Sequence, residues 1–336
     1  MARVSGSMKA MAEMTVLVRA ATDVGRLRGH NEDSHGIWIP EDPADRTRRG
    51  VLLVVADGMG GAQGGQVASR LAVESLIRAY QTAQGTELLE DLRAAVEEAN
   101  RAVNEKGAFD PALTGMGTTC TALVVRDHEA FIAHVGDSRA YLVRDGRIHQ
   151  LTRDHSVVAQ LVDQHQLTPE LASVDPRRNL VTRSVGVKAQ VEVDAERVEG
   201  ALQPGDTFLL CSDGLHGQVN DEELARLASG PDLERACRDL IALANGRGGP
   251  DNITVLLTRV EDDGFNQPRD GLGGPDQDLS VGSGKGAAFD GIRSTSRVWT
   301  VAWLLIAVLA LLLALIAVAW LVRRLNTETG ALGLSP

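Results

Sequence analysis

The chain has 336 residues, enough for one large domain with additional segments or for two modest domains. Hydrophobic residues make up 43% and charged residues 24%, which is typical of soluble globular domains and excludes a wholly disordered protein. The formal net charge is -11, from 34 basic and 45 acidic residues. Because proteins that bind a phosphate backbone concentrate Lys and Arg, this charge excludes nucleic acid as the main partner.

The chain divides into a short N-terminal segment and a folded body. Residues 1–14 contain four methionines but no continuous apolar core, which is not the pattern of a signal peptide, and we expect them to be disordered. The body is expected over 15–261. Its three cysteines are widely spaced and form no CxxC pair, which favours a reducing compartment over a disulfide framework. Cys120 and Arg126 have the C-x5-R spacing of a cysteine phosphatase, but the residues between them include no glycine for a phosphate loop.

Within the body, apolar runs rich in β-branched residues predict six strands. These runs lie at 51–56, 120–125, 130–135, 140–143, 207–211 and 253–260. Asp127-His128 and Asp145-Gly146 are predicted hairpin turns. Apolar residues recur at helical spacing over 67–77 and 88–103. The pattern predicts an antiparallel meander with helical hairpins between the strands, which is an α+β fold.

Acidic residues stand at the ends of four of these strands. Asp57, Asp137 and Asp213 follow apolar runs, and Asp251 precedes one. A single Asp-Gly is most often only a turn, but four carboxylates directed into one cleft would repel each other and require a cation. Oxygen ligands without thiolate or imidazole favour Mg²⁺ or Mn²⁺, and the eight histidines include no HExxH motif for zinc.

The segment TDVGRLRGHNEDS adds a cation among acids near the N-terminus. Arg28 could hold a phosphate through two parallel hydrogen bonds, and Glu32 or Asp33 could orient a metal-bound water. A solvated charged loop is the alternative that the local sequence leaves open.

Together these residues resemble the metal-dependent serine/threonine protein phosphatases of the PP2C family, in particular its bacterial branch. The resemblance covers about 22–260 and rests on blocks that occur in one order: TDVGRLRGHNEDS, VVADGMGG, GMGTTCTALVV, AHVGDSRAYLVRDG, LTRDHS, TRSVG, LLCSDGL and GGPDNITVLL. It implies a central antiparallel β-sandwich flanked by helical layers, an α-β-β-α arrangement, with a two-metal site at one end of the sheets.

The resemblance also implies a ligand set for Mn²⁺ or Mg²⁺. Asp57 would bridge two ions, Gly58 would offer its backbone carbonyl, and Asp213 and Asp251 would complete one side. Asp137, together with Asp213, would hold a third and looser ion, as in bacterial members of the family.

The remaining implied roles concern the substrate. Arg28 would bind its phosphate, and Glu32 and Asp33 would contact metal-bound waters. The implied reaction is hydrolysis of phosphoserine and phosphothreonine in proteins by a metal-activated water, which would reverse the action of cytoplasmic Ser/Thr kinases on their substrates. Met59 stands where many eukaryotic members carry a histidine acid for the leaving group, and His155 is our hypothesis for a substitute. We also expect the segment over 156–179 to form a variable flap.

Two other functions remain open at this stage. A non-catalytic, membrane-anchored phosphopeptide receptor of the same fold would be expected to lack an aspartate of the set. A phosphatase resembling alkaline phosphatase would also show DGMG after a strand, but it would need zinc-binding histidines, and their spacing here does not fit.

After the folded body, the composition changes twice. Residues 261–297 carry eight glycines and predict a flexible linker, assigned to 262–297. Residues 298–322 carry no charge and would form a helix about 37 Å long, enough to span a hydrocarbon core of about 30 Å. Tryptophans near both ends suit the lipid boundary, and residues 323–336 form a short tail. We therefore expect a single-pass membrane protein with a cytoplasmic catalytic domain.

Overall fold

The computed structural model of the protein describes residues 14–262. Among these residues, no helix combines the length and the apolar character that crossing a membrane requires. The predicted span over 298–322 and the tail lie outside the described residues, as does nearly all of the predicted linker and of the N-terminal segment.

The described chain consists of strands and helices in alternating groups. The strands are β1 (Met14–Asp23), β2 (Asp33–Trp38), β3 (Val51–Met59), β4 (Gly117–Thr118), β5 (Cys120–Arg126), β6 (Glu129–Val135), β7 (Arg139–Arg144), β8 (Arg147–Gln150), β9 (Asp194–Arg197), β10 (Thr207–Cys211) and β11 (Ile253–Asp262). The helices are α1 (Pro43–Arg49), α2 (Gly61–Thr82), α3 (Leu88–Phe109), α4 (Val157–Asp163), α5 (Pro169–Val174), α6 (Asp213–His216), α7 (Asp221–Ala228) and α8 (Leu233–Gly246). The α+β class and all six predicted strands are confirmed.

The strands form two antiparallel sheets. The first sheet has the order β1-β11-β10-β7-β8, and the second has the order β2-β3-β5-β6-β9, with β4 paired to the end of β3. Both predicted turns close hairpins, between β5 and β6 and between β7 and β8. In these turns Asp127 and Asp145 have φ angles of 49° and 52°, a left-handed conformation that Asp tolerates better than most residues.

Three hydrophobic cores stack the elements into four layers. Between the sheets, Leu53 and Leu123 of the second sheet cluster with Phe208 and Leu256 of the first. The opposite face of the second sheet packs on α2 and α3, and the opposite face of the first packs on helices α6 to α8. The order is therefore helix, sheet, sheet, helix. Because β3 is buried on both faces, its sequence is continuously apolar rather than alternating.

The close fit of β3 against its neighbours generates a first prediction. A Cβ atom on Gly58 would lie 2.1 Å from the carbonyl oxygen of Gly65 and 2.5 Å from that of Glu32. Overpacking typically costs about 1–3 kcal/mol, and these neighbours are backbone atoms that cannot yield. We expect Gly58→Ala to lower the free energy of unfolding by at least about 3 kcal/mol in urea titrations.

Gly246→Ala is the matched control, because a Cβ there would meet no atom within 4 Å. Gly246 is the last residue of α8, where alanine is expected to leave stability unchanged or to raise it by up to about 1 kcal/mol. Equal urea midpoints for the two variants would contradict the packing described here.

Candidate active site

Four aspartates come from both sheets to one end of the sandwich. Asp57 lies near the end of β3 in the second sheet, and Asp137 lies in the turn between β6 and β7. Asp213 begins α6 two residues after β10, and Asp251 lies two residues before β11. Because β10 and β11 are antiparallel neighbours, the end of β10 and the start of β11 lie side by side. Asp213 and Asp251 therefore lie at the same end of the first sheet.

A cleft of about 670 Å³ opens at this end of the sandwich. Seven of the eight site residues predicted from the sequence line it, namely Arg28, Glu32, Asp57, Gly58, Asp137, Asp213 and Asp251. The eighth, Asp33, is placed differently. It pairs with Asp57 across β2 and β3, is only 8% exposed, and accepts a hydrogen bond from the Ser212 hydroxyl at 2.7 Å. Asp33 therefore lies behind the cleft rather than on its surface.

Burial and mutual repulsion raise the pKa values of Asp33, Asp57, Asp137 and Asp213. Burial is the largest cause for each of the four, and the charges of neighbouring aspartates raise the values further. The pKa of Asp213 rises to about 6, that of Asp33 to about 7 and that of Asp137 to about 8, and the pKa of Asp57 rises well above its ordinary value. Unless a cation compensates their charge, these carboxyl groups therefore hold their protons more tightly than they would in water.

We tested whether these residues fit the divalent ions that the sequence predicts. Across residues 14–262, no three His, Cys, Asp or Glu side chains are drawn together closely enough to form a metal cage as they stand. Like-charged carboxylates repel one another unless a cation lies between them. One oxygen of Asp251 also accepts a hydrogen bond from Arg28. The chemistry of the donors nevertheless fits, because they are carboxylates. Oδ1 of Asp33 and Oδ1 of Asp213 are also buried without a hydrogen-bond partner.

The guanidinium of Arg28 lies at the rim of the cleft. It donates a hydrogen bond of 2.7 Å to Asp251 Oδ2, and its side chain is 47% exposed. An exposed arginine on a loop, held by a single ion pair, can turn toward an incoming anion. This position suits the phosphate-binding role that the sequence predicts.

Asn252 holds the Arg28 loop in place, and sequence reasoning did not single it out. Its side-chain oxygen accepts from the backbone N–H of Glu32 at 2.8 Å, and its amide nitrogen donates to the carbonyls of Val24 and His30, both at 2.9 Å. The residue is buried, with only 3% of its surface exposed. Asn252 therefore fixes the loop before β2 to the strand that follows Asp251. Its place next to Asp251 in the block GGPDNITVLL is the signal that could have identified it.

The structure does not support His155 as an acid for the leaving group. Its Nδ1 accepts the backbone N–H of Gly136 at 3.0 Å, and its Nε2 lies 3.0 Å from Asp194 Oδ2. His155 lines a different cavity, whereas the histidine that lines the cleft is His30, which is exposed. The cysteine hypothesis also fails, because Cys120 is fully buried and burial raises its pKa to about 12.

A second cavity, of about 700 Å³, adjoins the carboxylates and extends beneath the predicted flap. It shares Arg28, Asp137, Asp213 and Asp251 with the cleft, and α4 and α5 contribute its outer wall. The flap thus contains two short helices, and Thr168 caps the second by accepting a hydrogen bond from the Leu171 N–H. A polypeptide that places one residue in the cleft has room to continue along this cavity.

The raised pKa values predict a pH dependence of stability when divalent ions are removed by a chelator. Above about pH 6.5, folded Asp33 and Asp137 still hold protons that the unfolded chain has released, so the free energy of unfolding falls as the pH rises toward the pKa of Asp137 near 8. We expect a loss of about 1–2 kcal/mol between pH 6.5 and pH 8. Urea titrations in that range measure it.

The range begins at pH 6.5 because buried histidines act in the opposite direction below it. Burial lowers the pKa of His134 to about 4, so its contribution to stability rises with pH up to the unfolded value near 6.5 and is then constant. Asp137→Asn is the control, since it removes one of the contributions above pH 6.5 and should reduce the slope. Stability that rises with pH in this range, or a slope unchanged in Asp137→Asn, would contradict the electrostatics described here.

Comparison with known proteins agrees with this geometry. Residues 29–257 match the family described as protein phosphatase 2C. The chain is 38% identical over 266 residues to the serine/threonine protein phosphatase PstP of Mycobacterium tuberculosis, a match that covers 79% of this chain and 49% of that protein. It is 39% identical over 254 residues to the serine/threonine phosphatase stp of Listeria monocytogenes, covering 74% of this chain and 97% of that protein. The chain thus spans about half the length of PstP.

Among solved structures, the chain resembles the catalytic domain of PstP in complex with two manganese ions. The TM-score is 0.63 with 36% sequence identity, and the match covers 74% of this chain and 100% of that one. The family match covers more than half of the sequence, and the solved relative shares the fold. The chain belongs to the protein phosphatase 2C family.

Proposed function

We propose that this protein is a metal-dependent phosphatase that hydrolyses phosphoserine and phosphothreonine in other proteins. The observation that carries the proposal is the cleft, where four aspartates from both sheets face one arginine at the rim. Family membership supports the same reaction, because the relatives are named serine/threonine protein phosphatases. The partners proposed on this basis are phosphorylated proteins and the Ser/Thr kinases that act on them.

The ions would be Mn²⁺ or Mg²⁺, held by the residues that the sequence resemblance assigns. Asp57, the backbone carbonyl of Gly58, Asp213 and Asp251 would hold two ions, and Asp137 with Asp213 would hold a third. When bound, such ions acidify water and neutralise charge on phosphoryl oxygens. They would also relieve the repulsion that raises the pKa values of Asp57 and Asp213.

The chain's own residues would bind and orient the substrate. Arg28 can donate two parallel hydrogen bonds to the phosphoryl oxygens, where charge develops during transfer. Glu32 lies in the same cleft with its pKa raised, first by burial, so it can accept a hydrogen bond from the attacking water or take up its proton. Thr119, the one hydroxyl side chain among the residues that line the cleft, is 1% exposed and is bonded to the Asp57 N–H. We therefore assign no side-chain nucleophile.

The proposed reaction predicts which substitutions reduce phosphatase activity and by how much. Release of phosphate from phosphoserine and phosphothreonine peptides should require Mn²⁺ or Mg²⁺ and should fall by at least about 10³-fold in Asp57→Asn and Asp213→Asn. Arg28→Ala should lower kcat/KM by about 10²-fold or more, since it removes charge stabilisation from the phosphoryl group.

The control is Arg147→Ala, because Arg147 lies on the exposed edge strand β8 and does not line the cleft. It should leave turnover unchanged. Turnover that persists in Asp213→Asn with chelator would contradict the metal-dependent reaction. Phosphopeptide binding without any turnover in the unaltered chain would instead favour the non-catalytic receptor.

We further propose that residues 298–322 anchor the protein in a membrane, with 262–297 as the linker and the catalytic domain on the cytoplasmic side. The support is the sequence, which carries no charge over 25 residues and has tryptophans near both ends. A phosphatase held in this way would act on substrates at the membrane surface.

Fractionation of expressing cells tests the anchor. The full chain should remain with membranes after alkaline carbonate washing, whereas a chain ending at residue 297 should be released into the supernatant. A chain in which Leu311 and Leu312 are both replaced by Arg is a second variant, since charges at the centre of a span are costly. A full chain that fractionates as the shortened one does would overturn the proposal.

A further inference from the structure

Hydrogen bonds from three separate segments hold the turn that carries Asp137. Gly136, which precedes Asp137, donates its N–H to His155 Nδ1 at 3.0 Å and accepts the backbone N–H of His155 at 2.6 Å. Ser138, which follows, shares a hydrogen bond of 2.7 Å with the Thr119 hydroxyl. The turn is thus fixed to the segment before α4 and to the second sheet.

The third contact comes from α6. Nε2 of His216 donates a hydrogen bond of 2.9 Å to the backbone carbonyl of Asp137. A carbonyl oxygen can only accept, so this contact assigns the proton of a neutral imidazole to Nε2. His216 is partly buried and lines the cavity beneath the flap together with Asp137 and Asp213.

The position of His216 on α6 connects this contact to Asp213. Asp213 is the first residue of that single helical turn and His216 is the last, three residues later. One rigid turn therefore carries the Asp213 carboxylate and also holds the backbone from which the Asp137 carboxylate projects. His216 thereby links the backbone positions of the two carboxylates, although they belong to segments separated by more than seventy residues in the sequence.

We propose that His216 is a positioning residue for the metal site formed by Asp137 and Asp213, and that it sets the affinity of that site. This inference rests on the proposed function, because it assumes that the two aspartates share an ion. Groups that orient metal ligands without touching the metal typically contribute 10- to 100-fold to affinity. The contribution should be confined to this ion, because the side chain of His216 holds the Asp137 backbone, whereas Asp213, which also serves the two-ion site, is positioned by the backbone of α6.

Isothermal titration calorimetry of the full chain with Mn²⁺, in detergent, tests the proposal. His216→Met removes the donor at nearly constant volume, and it should weaken the lowest-affinity Mn²⁺ site by about tenfold or more. The tighter sites should stay within about twofold of the unaltered chain. His216→Gln restores an N–H donor near the Nε2 position and should return the weakest site to within about threefold.

Asp137→Asn identifies which step of the titration belongs to this site, since it should abolish the same weak step. His216→Asn serves as a second variant if His216→Met does not fold, as judged by circular dichroism; its side chain is too short to reach the carbonyl of Asp137, so it should weaken the same site.

The outcomes separate this inference from the function on which it rests. An unchanged weak site in His216→Met, equal weakening of all sites, or no recovery in His216→Gln would overturn the role of His216. An unaltered chain that binds only two Mn²⁺ ions and still releases phosphate would overturn the inference while the proposed function stands. An unaltered chain that binds no Mn²⁺ and releases no phosphate would overturn both.

Discussion

Repulsion among carboxylates is the constraint on which the rest of this structure depends. Asp33, Asp57, Asp137 and Asp213 all have pKa values above their ordinary range, first because they are buried and then because they face one another. A chain left to itself would separate these groups. The fold keeps them together by placing each at the end of a strand or in a turn whose backbone is already committed to a sheet. Bringing these carboxyl groups together destabilises the fold. The hydrophobic cores on both faces of each sheet offset this unfavourable energy.

Polar side chains connect the chain segments that the sheets bring to the cleft. Asn252 ties the Arg28 loop to the strand after Asp251, while Thr119 links the backbone of Asp57 to Ser138. These contacts are buried, so each one left unmade would cost more than a contact at the surface. The result is a cleft whose ligands come from separate segments but whose backbone positions are mutually fixed. Such rigidity is what a site needs if it must hold ions at defined separations.

The sequence predicts the interior of the fold better than its margins. The six predicted strands include every central strand of the two sheets, because strands buried on both faces have long apolar runs. The four longer strands that were not predicted, β1, β2, β8 and β9, are the four edge strands. Edge strands bury less surface, and β8 and β9 have the polar sequences RIHQ and DAER. Convergence of Asp57, Asp137, Asp213 and Asp251 on one cleft was predictable, since an acid at each strand end is a local pattern. The hydrogen bond between Asn252 and Glu32 was not, because it joins residues 220 positions apart.

Asp33 lies deeper in the fold than its neighbour Glu32. It directly follows Glu32 in the sequence, yet Glu32 lines the cleft while Asp33 begins β2 and turns inward beside Asp57. Asp33 is the first residue of β2, whereas Glu32 still belongs to the preceding loop, so the two adjacent acids take different positions relative to the cleft. One oxygen of Asp33 accepts a hydrogen bond from Ser212 and the other is unpartnered, so its contact with a metal-bound water stays a prediction. Its charge also acts on Asp57. A carboxylate in that position raises the proton affinity of Asp57 and, by the same electrostatics, the affinity of Asp57 for a divalent cation.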